Sequence, residues 1–153
     1  MTPTARLAAR VLVVDPDGCV LLFRGFDPPR PEAGDWWFTP GGGVDDGESI
    51  EDALRREMRE ETGCELEAIR HVATYEVDER TQDFKALVHL FRARAIGEPR
   101  PEDGSAVRWA MPADAGFHPA LRRELVDAGL RTEDERSLSS ALRVTNVSMR
   151  RAR

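Results

Sequence analysis

The chain is almost without lysine. Lys85 is the only one, and the remaining basic residues are arginines, which reads as a genome-composition effect. Cysteine is nearly as scarce: Cys19 and Cys64 stand alone, in no metal-ligating spacing. That excludes a disulfide framework or a zinc module and predicts two buried thiols of the cytosolic kind. No apolar run approaches the roughly 20 residues that a membrane-spanning helix needs. The first residues contain arginines, but their apolar run is short and reads directly as a strand, so no secretory signal is expected and a cytoplasmic location is. There is no internal repeat and no sign of a second domain. The 153 residues suffice for one hydrophobic core. The expected organisation is a single domain over 1–130 and a tail over 131–153, with a partial helix at 137–143.

What the chain does have is acid, placed unevenly. Residues 45–67 hold ten acidic and three basic side chains, a net charge of −7, against −6 for the whole chain. The remainder is therefore near neutral, at +1. A patch of that sign repels a polyanion, which argues against long nucleic acid and for a small phosphorylated substrate brought in with a metal ion.

The acids fall in the stretch PGGGVDDGESIEDALRREMREETGC. Gly41, Gly42 and Gly43 let the backbone take unusual φ values and pass close to a ligand, and they read as a loop. Ser49 with Asp52 resembles a capping box that starts a helix, and Gly63 is placed to end it after Thr62. On that helix Ile50, Ala53 and Leu54 share a stripe with Glu57, Glu60 and Glu61, while Asp52, Arg55 and Arg59 face outward. The glutamates are spaced i, i+3, i+4, so three like charges crowd one face. A bound cation is the usual compensation, and oxygen-only donors suit Mg²⁺, with Mn²⁺ substituting.

The remaining elements follow from local pattern. Residues 6–14 and 19–24 read as strands of a hairpin around the Asp15-Pro16-Asp17-Gly18 turn. Residues 25–35 form a loop rich in proline and glycine, and 36–39 a short strand. Long strands are expected over 65–78 and 84–95, a loop over 96–104, a strand over 106–110 and a helix over 112–129. Pattern alone gives an α+β class.

Gly42, Glu48, Arg56, Glu57, Glu60, Glu61 and Gly63 stand in the order and spacing Gly-x5-Glu-x7-Arg-Glu-apolar-x-Glu-Glu-x-Gly-apolar. This stretch resembles the signature of the Nudix hydrolases. Met58 and Cys64 fill the two apolar slots, which are more often aliphatic in the family. The resemblance implies an α/β/α sandwich with a mixed sheet, the box forming a loop-helix-loop at its edge. It implies a metal-dependent pyrophosphohydrolase that cleaves a nucleoside-diphosphate-linked bond by attack of an activated water.

Carried over residue by residue, Glu57, Glu60 and Glu61 match the metal-binding glutamates. Arg56 matches the arginine that steadies a box glutamate. Glu48 matches a position that orients loop and helix. Gly42 and Gly63 match structural glycines, and the Gly41 carbonyl is a further metal-ligand candidate. Glu60 and Glu61 both remain open as general base. Some relatives take another carboxylate from a loop before the last short strand. Glu102 is best placed for that, ahead of Glu98 and Asp103.

Outside the box, Arg24 is a candidate for holding a substrate phosphate, and Trp37, flanked by Trp36 and Phe38, for stacking on a nucleobase. Tyr75 and Trp109 are expected in the core. His71, His89 and His118 have no ligand spacing and are expected to be structural or exposed. Many relatives are dimers, so a homodimer is compatible with the resemblance. Two alternatives have different signatures. A non-hydrolytic nucleotide-binding module on the same fold commonly lacks box carboxylates, and none is missing here. Isoprenoid diphosphate isomerase chemistry normally needs a well-placed cysteine, which neither Cys19 nor Cys64 provides.

Overall fold

A computed structural model of the chain describes residues 6–26, 35–79, 84–100, 106–114, 119–131 and 147–152. Its elements run β1 (Arg6–Val13), β2 (Val20–Phe26), β3 (Asp35–Phe38), β4 (Gly41–Gly43), α1 (Ile50–Thr62), β5 (Glu65–Glu79), β6 (Phe84–Ile96), β7 (Ala106–Ala110), α2 (Pro119–Asp127) and β8 (Val147–Arg151). Five strands form one sheet in the order β4-β1-β6-β5-β8, and three form another in the order β3-β2-β7. The larger sheet is mixed, because β1 runs parallel to β6 while its other pairs are antiparallel.

β1 explains the layering. Ala9, Val11, Leu12, Val13 and Val14 are all buried, as expected of a central strand covered on both faces. Leu12 and Val14 enter one core, with Leu121 and Leu125 of α2 and with Tyr75 and Leu90. Ala9, Val11 and Val13 enter the other, with Leu54 and Met58 of α1. The helices thus cover opposite faces, giving the expected α/β/α sandwich. Truncating a fully buried leucine such as Leu54 is expected to cost about 2–5 kcal/mol. Among the described residues no helix is long and apolar enough to cross a membrane.

Several expectations need correction. β1 and β2 do not form a hairpin. The turn between them is present, with Gly18 N–H donating to the Asp15 carbonyl at 3.0 Å, but only the single bridge Val14–Val20 joins the two. A strand has two edges, and both edges of β1 are taken, by β4 and β6. β2 therefore starts the second sheet. Gly41–Gly43 is not a loop but the strand β4, in register with Arg10, Ala9 and Ala8. The second helix starts at Pro119 and ends at Asp127, inside the expected 112–129.

The tail read at 131–153 ends in a strand. β8 pairs antiparallel with Tyr75–Glu79 of β5, and Met149 packs against the α2-side core. Five residues with two arginines give too weak a local pattern, and the strand exists because β5 offers it an edge. The partial helix at 137–143 lies outside the described residues.

Candidate active site

The box is assembled by its turn and its caps. Ser49 precedes α1 in an extended conformation, and its hydroxyl accepts from Asp52 N–H at 3.0 Å, a cap worth about 1 kcal/mol. Gly63 ends the helix at φ 75°, with its N–H on the Arg59 carbonyl at 2.9 Å. Met58 and Cys64 are buried, so both apolar slots point into the core.

Arg56 is the hub. Its Nε and Nη2 grip the two oxygens of Glu48 at 2.8 and 3.0 Å, a bidentate pair. Nη1 donates to Glu57 Oε1 at 3.0 Å and Glu60 Oε2 at 3.3 Å. Nη2 also reaches the Gly43 carbonyl at 3.0 Å and lies 3.5 Å from Asp45. One guanidinium therefore ties the loop, β4 and the last turns of α1 together. Its partners raise the Arg56 pKa above the usual guanidinium range, Glu48 contributing most. In return the Arg56 hydrogen bond, followed by the Asp45 N–H, lowers the pKa of Glu48.

The three glutamates do not share one environment. Glu61 is partly buried beside Glu57, and its Oε2 accepts from Gly41 N–H at 3.4 Å. Burial first, then the Glu57 side chain, pushes its pKa up to about 8, against the pull of Arg10. Glu60 is more than half exposed and turned to Arg56. It is thus not on the inward stripe where the sequence pattern places it, because the buried face of α1 runs through Ala53, Leu54, Met58 and Thr62, and Glu60, two residues from both Met58 and Thr62, falls on the other side of the helix. Among the described residues no three acidic, histidine or cysteine side chains converge into a preformed metal cluster.

The donors nonetheless fit a hard dication. Glu57 and Glu61 bring two carboxylates together, and a cation between them would relieve their repulsion. Every donor at hand is oxygen. The backbone also leaves room for them, since a Cβ on Gly42 would stand 2.5 Å from Glu57 Oε1. Gly41 (φ 147°) is held from the other side, where a Cβ would meet the Ala9 carbonyl oxygen at 2.2 Å.

Two residues that the sequence reading did not single out frame this floor. Arg10 donates from Nη1 to the Thr39 carbonyl at 2.8 Å, and its charge acts on both Glu61 and Glu124. Glu124 of α2 is buried, accepts from Thr39 Oγ1 at 3.2 Å, and is pushed up to about 7 by burial. Both left a trace in the sequence. Arg10 is a lone charge inside an apolar strand, and Glu124 lies on the stripe of Leu121 and Leu125.

The other candidates fall elsewhere. Arg24 and Trp37 are opposite each other on β2 and β3. Trp37 packs against the α2-side core, with the Arg108 guanidinium 5.1 Å from its ring centroid, and Arg108 is paired with Asp114 at 3.1 Å. Glu102 and His118 lie outside the described residues. Tyr75 is in the core and donates to Asp127 at 2.6 Å, but Trp109 on β7 is exposed. Cys64 is buried, whereas Cys19 is only partly so, its Sγ 3.3 Å from Met111 Sδ in the turn before β2. His71 and His89 share Thr74 Oγ1, at 2.9 and 3.1 Å.

A family model for the NUDIX domain matches residues 4–129, most of the chain. This chain belongs to the Nudix family. A Nudix relative from Danio rerio, an oxidized purine nucleoside triphosphate hydrolase, is 36% identical over 110 residues, covering 69% of this chain and 66% of its own length. The nucleoside triphosphatase NudI of Salmonella heidelberg is 48% identical over 54 residues, 35% of this chain and 38% of that protein. These matches thus span two thirds or less of the relatives' lengths. Among solved Nudix structures, the MutT NUDIX hydrolase from Burkholderia pseudomallei has a TM-score of 0.70 at 29% identity, covering 85% of this chain and 100% of that one. The MutT protein of Methanosarcina mazei has a TM-score of 0.63 at 22% identity, a likeness of fold alone.

Proposed function

We propose that the protein is a divalent-metal-dependent hydrolase of a nucleoside triphosphate or a related nucleoside diphosphate derivative, cleaving a phosphoanhydride P–O bond. The observation that carries this reading is the complete box, with Arg56 binding Glu48, Glu57 and Glu60 and with Glu57 and Glu61 in contact beneath Gly41 and Gly42. The activities of the relatives, an oxidized purine nucleoside triphosphate hydrolase and a nucleoside triphosphatase, support the substrate class.

Glu57 and Glu61, joined by Glu60 and the Gly41 carbonyl, would hold Mg²⁺ or Mn²⁺. When bound, the ion supplies neutralisation of phosphate charge and a lowered pKa for water. The remaining work belongs to the chain. Arg56 fixes the carboxylate of Glu57 and, through Glu48, the loop that carries it. Gly41 and Gly42 keep the backbone bare, so phosphate oxygens approach closely. One carboxylate of the pair Glu60 and Glu61 takes the proton from the attacking water as its oxygen bonds to phosphorus. The bond to the bridging oxygen breaks, and the leaving group departs as a phosphate anion. Arg24 and Trp37 are assigned to the far end of the nucleotide, Arg24 for a phosphate and Trp37 for the base.

The test is turnover across nucleoside triphosphates, nucleotide sugars, ADP-ribose, dinucleotides and coenzyme A, with Mg²⁺, Mn²⁺ or EDTA and with products assigned by ³¹P NMR. Metal-dependent hydrolysis of one class, lost in Glu57→Gln, is expected. Tight binding of a nucleotide with no turnover under any metal would overturn the hydrolase reading in favour of a binding module.

A further inference from the structure

The far end of the larger sheet carries a second polar site of opposite character. A cavity of about 350 Å³ opens there, lined by Asp15, Pro16, Ala68, Arg70, Arg92 and Arg94 among others. Val14, just past the end of β1, lines it, four residues or about 13 Å along the extended chain from Arg10, the partner of Gly41. Arg70 on β5 and Arg92 on β6 stand directly opposite each other in the antiparallel register. Like charges in that position repel. Arg94, two residues on, shares their face.

A bulge creates this arrangement. Between the pairs Glu67–Arg94 and Arg70–Arg92, β5 advances three residues while β6 advances two. The extra residue re-aims the strand, and Ala68 takes a left-handed φ of 54°, unfavourable for a residue with a Cβ. Without the bulge, Ile69 would face Arg92. With it, Ile69 turns into the α1-side core and Arg70 faces Arg92.

The acids nearby do not neutralise the pair. Asp15 accepts Asp17 N–H and Cys19 N–H at 2.9 and 2.8 Å on one oxygen, which commits it to the turn. Glu67 lies 3.8 Å from Arg94, with both side chains at least half exposed. Among the described residues neither the Arg70 nor the Arg92 side chain has a hydrogen bond or ion pair. Two arginines brought opposite each other in the register by a strained bulge, both lining a cavity large enough for a small ligand, are an arrangement that a multiply charged oxyanion would stabilise.

We propose that this cavity is an anion site, separate from the box, that takes a small phosphate-type anion such as pyrophosphate or the terminal phosphates of a nucleotide. Arg70 and Arg92 are its main ligands and Arg94 contributes at its rim.

The test is independent of hydrolysis, because it is done in EDTA, where the acidic box repels anions. Calorimetry and thermal melts with pyrophosphate are expected to show one site per chain and a raised Tm. Arg70→Gln and Arg92→Gln should each weaken binding by about tenfold or more and abolish the Tm shift, while Arg92→Lys retains part of both. Without anion, both glutamine variants should melt no lower than the wild type, since they relieve repulsion. A role in packing alone would make them melt lower. Running the same titration with ADP separates the two sources: tighter binding than pyrophosphate identifies a nucleotide, weaker binding the bare anion. Failure of wild-type binding, equal binding in the glutamine variants, or loss of binding in Glu57→Gln would each overturn the proposal.

Discussion

At one end of the larger sheet a single guanidinium is shared among acids; at the other, two arginines stand opposite each other in the register, with no acid among the described residues paired to either. Arg56 meets Asp45, Glu48, Glu57 and Glu60 within 3.5 Å, and Glu57 and Glu61 are left crowded together. Arg70 and Arg92 are opposite each other in the β5–β6 register and line the same cavity. Each end thus carries an excess of one sign of charge, acidic around Arg56 and basic around Arg70 and Arg92. The difference lies in what each end invites. Oxygen donors with a bare glycine backbone invite a hard cation, and planar forks over an open cavity invite an oxyanion.

The largest expected effects separate the two ends by activity. Glu61→Gln or Glu57→Gln should lower kcat by roughly 10²–10⁴-fold with the fold intact by circular dichroism. Arg70→Gln should leave kcat at the wild-type value. Equal losses at both ends would erase the distinction between them.

The neighbouring glycines sharpen the box from within. Gly41→Ala drives a Cβ into backbone at 2.2 Å and should cost about 3 kcal/mol, lowering Tm by roughly 6–12 °C. Gly42→Ala meets only the Glu57 carboxylate. It should melt near the wild type but lose turnover, because the displaced carboxylate is the one assigned to metal. Melting curves and steady-state rates on the same two samples decide this.

Arg56→Ala should weaken Mn²⁺ binding, read by paramagnetic resonance, by about 10–100-fold. An unchanged affinity would remove Arg56 from its organising role and leave the acid cluster self-supporting.

Glu124 is a third environment, an acid buried with one hydroxyl partner. Its folded pKa of about 7 lies above the usual 4.5, so the folded state binds the extra proton between those values. Wild-type stability should therefore fall as pH rises from about 4.5 to 7, by up to about 1.4 kcal/mol per pH unit relative to Glu124→Gln. Urea midpoints across that range check the sign. A wild type that gains stability relative to the variant would show that Glu124 is ionised and paired when folded.

The box was readable because its information is local. Helix period, caps and the carboxylate spacing all lie within residues 42–64, and α1 begins and ends where Ser49 and Gly63 indicate. Features set by distant partners were not. β4 is a strand only because β1 pairs with three glycines, and β8 only because β5 has a free edge. The split of β1 and β2 into different sheets follows from competition for the edges of β1, which hairpin spacing cannot show. The same holds within the site. Glu57 and Glu61 were named from spacing, but Arg10 and Glu124 join the box through Thr39, from a strand and a helix remote in sequence. Likewise nothing local says that a bulge will turn Arg70 toward Arg92.

The strand at residues 147–151 closes one margin of the larger sheet, where β5 would otherwise present the bare amides and carbonyls of Tyr75–Glu79. An uncovered margin of that kind is a template for another molecule's strand. β8 is short, and it places Arg150 on Glu76 at 2.7 Å and keeps Arg151 exposed. Two copies approaching along this margin would bring arginine against arginine. The segment read as a tail therefore covers an edge that β5 would otherwise leave open to a foreign strand.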